Sequence, residues 1–262
     1  MIMLSLIGEQ PIPNLLPLRH QPPEVAVLVY SDLTVKAAGR LAKLLPQGCQ
    51  VELCPVSAYD IAAAKQAMLE LVAAKGWPPA SLLFNLTGGT KPMSLAAYLA
   101  AAELRAPFLY LQSEGKHTRL YQYEFDAQSL PHVATDELAP GLITIDDYLR
   151  AFVDDYQLTG FAKDEASKGT RFERAIHTAL EPVVDEIAVG LKLLGVVDVD
   201  FVVRCANQVG IIEAKTGSGV KKGIDQLSTA GEPRNLGTYT QKILVSDQVW
   251  DHTLLMRRSQ AT

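Results

Sequence analysis

Ser81-Leu82-Leu83-Phe84-Asn85-Leu86-Thr87-Gly88-Gly89-Thr90-Lys91-Pro92-Met93 changes character twice along its length. Residues 81–86 form a short, nearly continuous apolar run, the pattern of a strand buried on both faces. Thr87 to Lys91 carry turn chemistry. From Met93 to Arg105 the chain is rich in Ala and Leu, strong helix formers. Strand, glycine turn and helix in succession predict one unit of an open, mostly parallel α/β sheet. Glycines at such a turn permit positive φ and close backbone approach. The N–H groups of the helix start favour an anion. Thr87 and Thr90 add hydroxyls, and Lys91 adds a charge. Neither G-x-x-x-x-G-K-[ST] nor G-x-G-x-x-G spacing is present. A tight turn without a ligand is the plainer alternative.

The same alternation extends on both sides. Residues 1–7, 25–30, 50–55 and 107–111 read as strands, with 119–125 an antiparallel strand at an edge. Helices are expected from Ser31 or Asp32, as N-cap, to about Leu45, and over residues 58–75, stopped by Gly76 and Pro78. Ligands of such sheets bind at the carboxyl ends of strands, near a switch in strand order. Gly8, Glu9, Gln10 and Ser31 follow strands and fall on that edge with the glycine turn. Two prolines and no periodicity mark residues 127–144 as a linker between a first domain, 1–126, and a second, 145–262.

The second domain is expected to hold helices over 146–156, 168–187 and around 224–230, and a last strand over 241–245. Between them lie Val196-Val197-Asp198-Val199-Asp200-Phe201-Val202-Val203 and Val209-Gly210-Ile211-Ile212-Glu213-Ala214-Lys215. Both read as strands, with residues 204–208 as the hairpin turn. Alternation points Glu213 and Lys215 to one face. Two carboxylates close together repel unless a cation sits between them. An oxygen-only donor set suits Mg²⁺ or Mn²⁺. Such an ion activates water and neutralises charge on a phosphoryl oxygen, and a neighbouring lysine stabilises that charge. Asp198 shares the face of Asp200 and competes for the role. Asp200 is preferred because the apolar Phe201-Val202-Val203 follows it. Solvated strand-end carboxylates are the alternative. Lys168, Arg171 and Arg174 form a basic cluster near Glu173 that suits a polyanion, and Lys221 and Lys222 are further candidates for phosphates.

Composition bounds the rest. Of 262 residues, 48% are hydrophobic and 20% charged, with a net charge of −5, which argues against indiscriminate coating of nucleic acid. Cys49, Cys54 and Cys205 lack C-x-x-C spacing, so structural zinc is not expected and a reducing, cytoplasmic location is. The histidines show no H-E-x-x-H spacing, and no cysteine or serine nucleophile motif stands beside one. No signal segment is expected, and no apolar run approaches the ~20 residues of a membrane span.

Residues 6–14, Leu-Ile-Gly-Glu-Gln-Pro-Ile-Pro-Asn, together with residues 85–93, resemble the CARF (CRISPR-associated Rossmann fold) sensor domain. The C-terminal half resembles a restriction-endonuclease-like PD-(D/E)XK nuclease. Together they resemble the CARF–nuclease effectors of type III CRISPR antiviral defence. The resemblance implies a homodimer that binds a cyclic oligoadenylate, often cyclic tetra-adenylate, as allosteric activator. Thr87, Gly88, Gly89, Thr90 and Lys91 would contact the ring, and Gln10 and Ser31 would help enclose it. Asp200 and Glu213 would hold the metal, with the Ala214 carbonyl. Glu173 would complete the shell, Lys215 would be the catalytic lysine, and Gln226 matches a helix-borne polar residue of some members. The expected function is a metal-dependent endonuclease acting on DNA or RNA. A ring nuclease, a module that only binds nucleic acid, and an unregulated repair or restriction nuclease are the other readings. The short linker leaves no room for the winged-helix-like segment of longer relatives.

Overall fold

The protein, described by a computed structural model at residues 1–114, 117–193, 197–232 and 235–248, divides into two units, Met1–Ile143 and Thr144–Thr262. The first unit runs β1 (Ile2–Leu6), α1 (Ile12–His20), β2 (Val25–Tyr30), α2 (Val35–Lys43), β3 (Gln50–Pro55) and α3 (Ile61–Lys75). It continues with β4 (Leu82–Asn85), α4 (Lys91–Leu104), β5 (Phe108–Glu114), β6 (His117–Phe125) and β7 (Pro131–Ala139). The sheet order is β3-β2-β1-β4-β5-β6-β7. Strands β1 to β5 pair in parallel, and β6 and β7 add antiparallel.

Helices cover the sheet, so β1 and β4 are buried along their whole length. Leu4, Leu6, Val27, Val29 and Phe84 meet Met68 of α3 and Met93 of α4 in one core. Ala96, Ala97, Ala100 and Ala101 are all buried there, and their small size lets α4 lie close to the sheet. Asp60 caps α3 by accepting from Ala63 N at 3.0 Å, and Gly76, with φ +66°, ends it.

Several expectations change. Helix α1 was not among the expected elements; Pro13 sits in its first turn, where a proline is tolerated, and Pro17 lies inside it. It is buried on most sides, from Ile12 to Leu18, and so lacks an amphipathic stripe. Helix α2 starts after Thr34, not at Ser31 or Asp32; Ser31 N instead donates to Thr34 Oγ1 at 3.1 Å. Within residues 127–144, expected as a linker, Pro131–Ala139 form β7 and displace β6 from the edge. Almost every residue of β7 is exposed, so no alternation marks it.

The second unit runs α5 (Ile145–Phe152), β8 (Gln157–Leu158), α6 (Lys168–Leu180), β9 (Glu186–Leu193), β10 (Val197–Cys205), β11 (Gln208–Lys215), α7 (Val220–Ala230) and β12 (Gln241–Ser246). Its sheet order is β12-β11-β10-β9-β8, with only β11–β12 parallel. Thr144 and Asp147 form a capping box at α5. Phe201, Val203 and Ile212 pack against Ile176 and Phe172 of α6. Helix α7 crosses β10, β11 and β12. The helix expected over 168–187 ends at Leu180, and the following residues turn into β9, which is only half-buried over most of its length. Helix α5 stops at Phe152, short of 156, and α7 begins at Val220. The strand expected from residue 196 is described from Val197; Val196 lies outside the described residues. Among the described residues no helix is long and apolar enough to cross a membrane.

Candidate functional site

Strand order reverses between β1 and β4, which opens a crevice at their carboxyl ends. There the chain after β1 meets the glycine turn after β4. A carbon added at Gly8 would stand 3.0 Å from Gly89 N. One added at Gly88 would stand 2.0 Å from the Leu6 carbonyl oxygen and 2.6 Å from Asn14 Oδ1. Gly89 adopts φ +72°, a conformation that L side chains rarely take. The two glycines are therefore required by close approach at one and by conformation at the other.

The remaining residues of this site divide into tied and untied groups. Thr90 caps α4, accepting from Met93 N at 3.2 Å while its hydroxyl donates to the Ala58 carbonyl after β3. Thr87 Oγ1 accepts from Leu111 N at 2.9 Å, which holds the turn to β5. Their hydroxyls, expected as ligand donors, are thus engaged in shaping the loop. Lys91 is the first residue of α4 and is exposed. Ser31 is buried at the end of β2. Gln10 carries a buried Oε1 with no hydrogen-bond partner. A cavity lined by Met1, Ser81, Leu83, Pro107 and Gln122 opens at the opposite edge, away from these groups.

In the second unit, the β10–β11 ladder carries Phe201 opposite Ile212. Asp200 and Glu213 are the next residues on each strand, and alternation turns them away from the α6 face. Asp200 Oδ2 accepts from Ala214 N at 2.6 Å. Lys215 Nζ pairs with Glu213 Oε1. Glu213 is 1% exposed, and its Oε2 has no partner. Burial pushes its carboxyl up to about 7, against the pull of the Lys215 hydrogen bond. Burial also raises Asp200, opposed by the Ala214 N–H and the Lys215 charge. Glu173 on α6 is raised by burial first and by the Asp200 charge second. Gln226 on α7 donates from Nε2 to the Asp198 carbonyl at 3.1 Å, and its Oε1 is buried without a partner.

The structure therefore brings Asp200, Glu213, Ala214 and Lys215 together, and sets Gln226 on the helix above the same sheet. Glu173 is close enough to feel Asp200 and Lys215. However, no group of three or more His, Cys, Asp or Glu side chains is gathered for a metal among the described residues. Sequence reading missed three contributors. Asn14 underlies Gly88. Gly223 lets α7 settle on the site, since a carbon there would stand 3.1 Å from Lys215 Cγ and 3.3 Å from Glu213 Cγ. Asp247 accepts from Gly217 N at 2.9 Å and pairs with Lys168 Nζ at 2.6 Å, and its own N–H donates to the Lys215 carbonyl at 3.3 Å. No sequence signal marks these roles except the glycine inside a helical stretch at 223.

No curated protein matches this chain. Among solved structures, Can2 from Sulfobacillus thermosulfidooxidans in complex with cyclic tetra-adenylate has a TM-score of 0.77 at 14% identity, covering 99% of this chain and 93% of that one. The protein VC1899 from Vibrio cholerae has a TM-score of 0.75 at 15% identity, covering 99% and 92%. A type III CRISPR defence DNA nuclease activated by cyclic oligoadenylate has a TM-score of 0.58 at 17% identity, covering 94% of this chain but 45% of that one. At such identities these likenesses show the fold. The family model described as the Card1 CARF domain matches residues 2–148, a span that contains every residue of the β1–β4 crevice. With more than half of its length matched, the chain belongs to the Card1 CARF domain family.

Proposed function

We propose that this protein is a metal-dependent endonuclease of type III CRISPR defence, switched on by a cyclic oligoadenylate held at the β1–β4 crevice. The observation that carries the reading is Glu213. Glu213 is 1% exposed, with Lys215 on one oxygen only and the other left unpartnered beside Asp200, an arrangement with an open place for a further cation. The all-oxygen donors suit Mg²⁺ or Mn²⁺, which needs only one or two carboxylates when waters and substrate phosphates complete its shell. Asp200, Glu213 and the Ala214 carbonyl would hold the ion, with Glu173 reached through water. When bound, such an ion lowers the pKa of water and neutralises phosphoryl charge.

The chain's own groups do the rest. The Ala214 N–H fixes the Asp200 carboxylate. Lys215, 19% exposed, presents its ammonium from the same face as Glu213, where it can stabilise charge on the phosphorane-like transition state. Gln226 anchors α7 over that face. This arrangement of Asp200 and Glu213-Ala214-Lys215 on a hairpin supports the PD-(D/E)XK reading of the second unit.

For the first unit, the complex of Can2 with cyclic tetra-adenylate supports cyclic tetra-adenylate as the ligand. Lys91 supplies the free charge, and the α4 start supplies aligned N–H groups. Leu95 and Leu99, one turn apart on α4 and 54% and 45% exposed, support a homodimer that shares one ligand.

The test is cleavage of plasmid, single-stranded DNA and RNA with Mn²⁺, with and without cyclic tetra-adenylate. Cleavage only with the nucleotide supports the whole reading. Cleavage without it removes the switch. Loss of the nucleotide itself would identify a ring nuclease. Absence of both, with retained nucleic-acid binding, would leave a binding module.

A further inference from the structure

Asn14 has no exposed surface and lies on α1 among Ile12, Leu15, Leu16 and Leu18. Its two amide atoms have different fates. Nδ2 donates to the Leu6 carbonyl at 2.7 Å. Leu6 ends β1, and the β1–β4 ladder stops one residue earlier, at Ser5 and Asn85. Asn14 thus supplies a donor to a carbonyl beyond that ladder. Oδ1 is buried and has no donor. A buried acceptor left unmet is unfavourable, and native proteins retain few of them.

The surroundings of Oδ1 identify what it faces. The α-carbon of Gly88 packs on the amide so closely that an added carbon would stand 2.6 Å from Oδ1 and 2.9 Å from Nδ2. The backbone of the glycine turn is therefore a neighbour placed to supply the missing donor.

We propose that Asn14 is a positioning residue for the nucleotide crevice. Its Nδ2 fixes the end of β1, and its Oδ1 receives a backbone N–H of the Gly88–Gly89 turn when the crevice is filled. The amide would then set how deeply the turn sits and hold it there only in the liganded arrangement. This rests on the nucleotide-binding reading above, and goes beyond it by assigning the latch to a residue that touches no ligand.

The test measures cyclic tetra-adenylate affinity by calorimetry, and the half-activating concentration for cleavage, on the full chain. Asn14→Leu keeps the branched heavy-atom skeleton, in a larger side chain, and removes both polar atoms. It is expected to weaken binding roughly tenfold, about 1.4 kcal/mol, and to raise the half-activating concentration in step. Asn14→Asp supplies a control that a merely structural role would not pass. When protonated, the introduced carboxyl offers one donor and one acceptor, as the amide does, and burial favours its protonated form. Its affinity should therefore recover as pH is lowered, while that of Asn14→Leu should not. Unchanged affinity in both variants overturns the proposal, as does equal loss at every pH. Failure of the unaltered chain to bind the nucleotide overturns the nucleotide reading, and this proposal with it.

Discussion

The two sites are built by opposite means. The β1–β4 crevice is made from what is missing: Gly8, Gly88 and Gly89 let backbone meet backbone, and its threonine hydroxyls hold the loop itself. The β10–β11 site is made from what is costly: Glu213 and Asp200 are held in burial with Lys215 beside them. One fails when an atom is added, the other when a charge is removed. On the proposed function, a sensor would need a surface that yields to its ligand, whereas hydrolysis would need charges that do not move away from the reacting phosphate.

The sharpest break of that contrast is Lys215→Ala. Cleavage should fall roughly 10²–10³-fold, the loss typical of a removed charge-stabilising donor. Nucleotide binding should stay as it was, and calorimetry alongside single-turnover cleavage checks both. Gly88→Ala should do the reverse. An added carbon 2.0 Å from the Leu6 carbonyl must displace the turn, and nucleotide affinity should drop by about tenfold or more while Mn²⁺ binding persists. Equal effects of the two variants on both readouts would mean the sites are not separable in this way.

Smaller effects follow from ionisation. Glu213 is raised from 4.5 to about 7. A raised carboxyl binds more protons folded than unfolded, so its contribution is fully present below pH 4.5 and is lost as pH rises through about 7. Thermal unfolding of cation-free protein should show this decline, and Glu213→Gln should flatten it. Mn²⁺ should stabilise most above pH 7, where the ionised form awaits a counter-charge. The weakest predicted effect belongs to Asp247, which is lowered from 3.8 to about 2 by Lys168 first, then Gln248 and Gly217 N–H. Its contribution is present above 3.8 and lost as pH falls through about 2. Because it is solvent-accessible, Asp247→Asn should shift the melting temperature little and raise the Mn²⁺ concentration needed for half-maximal cleavage more visibly.

Legibility in the sequence followed burial. Strands β1, β2 and β4 are apolar almost throughout, with Ser5 and Asn85 as buried exceptions, because helices cover the parallel sheet, and such runs stand out. Strands β7 and β9 do not, since an exposed edge and a half-buried strand leave no alternation to read. The charges Asp200, Glu213 and Lys215 were visible because they interrupt apolar runs. Asn14, Gly223 and Asp247 were not, because each acquires its role from a neighbour distant in sequence: Leu6 and Gly88, Lys215 and Glu213, Lys168 and Gly217. Helix α1 was not read, since it is buried on most sides and so carries no amphipathic stripe.

Thr90 has a consequence for timing. Its single hydroxyl is both the cap of α4 and the tie to the Ala58 carbonyl beyond β3. One hydroxyl thus joins the segment after β3 to the glycine turn, and the two are expected to open together. Hydrogen exchange should find their amides sharing one opening rate, and Thr90→Val should split that common clock into two.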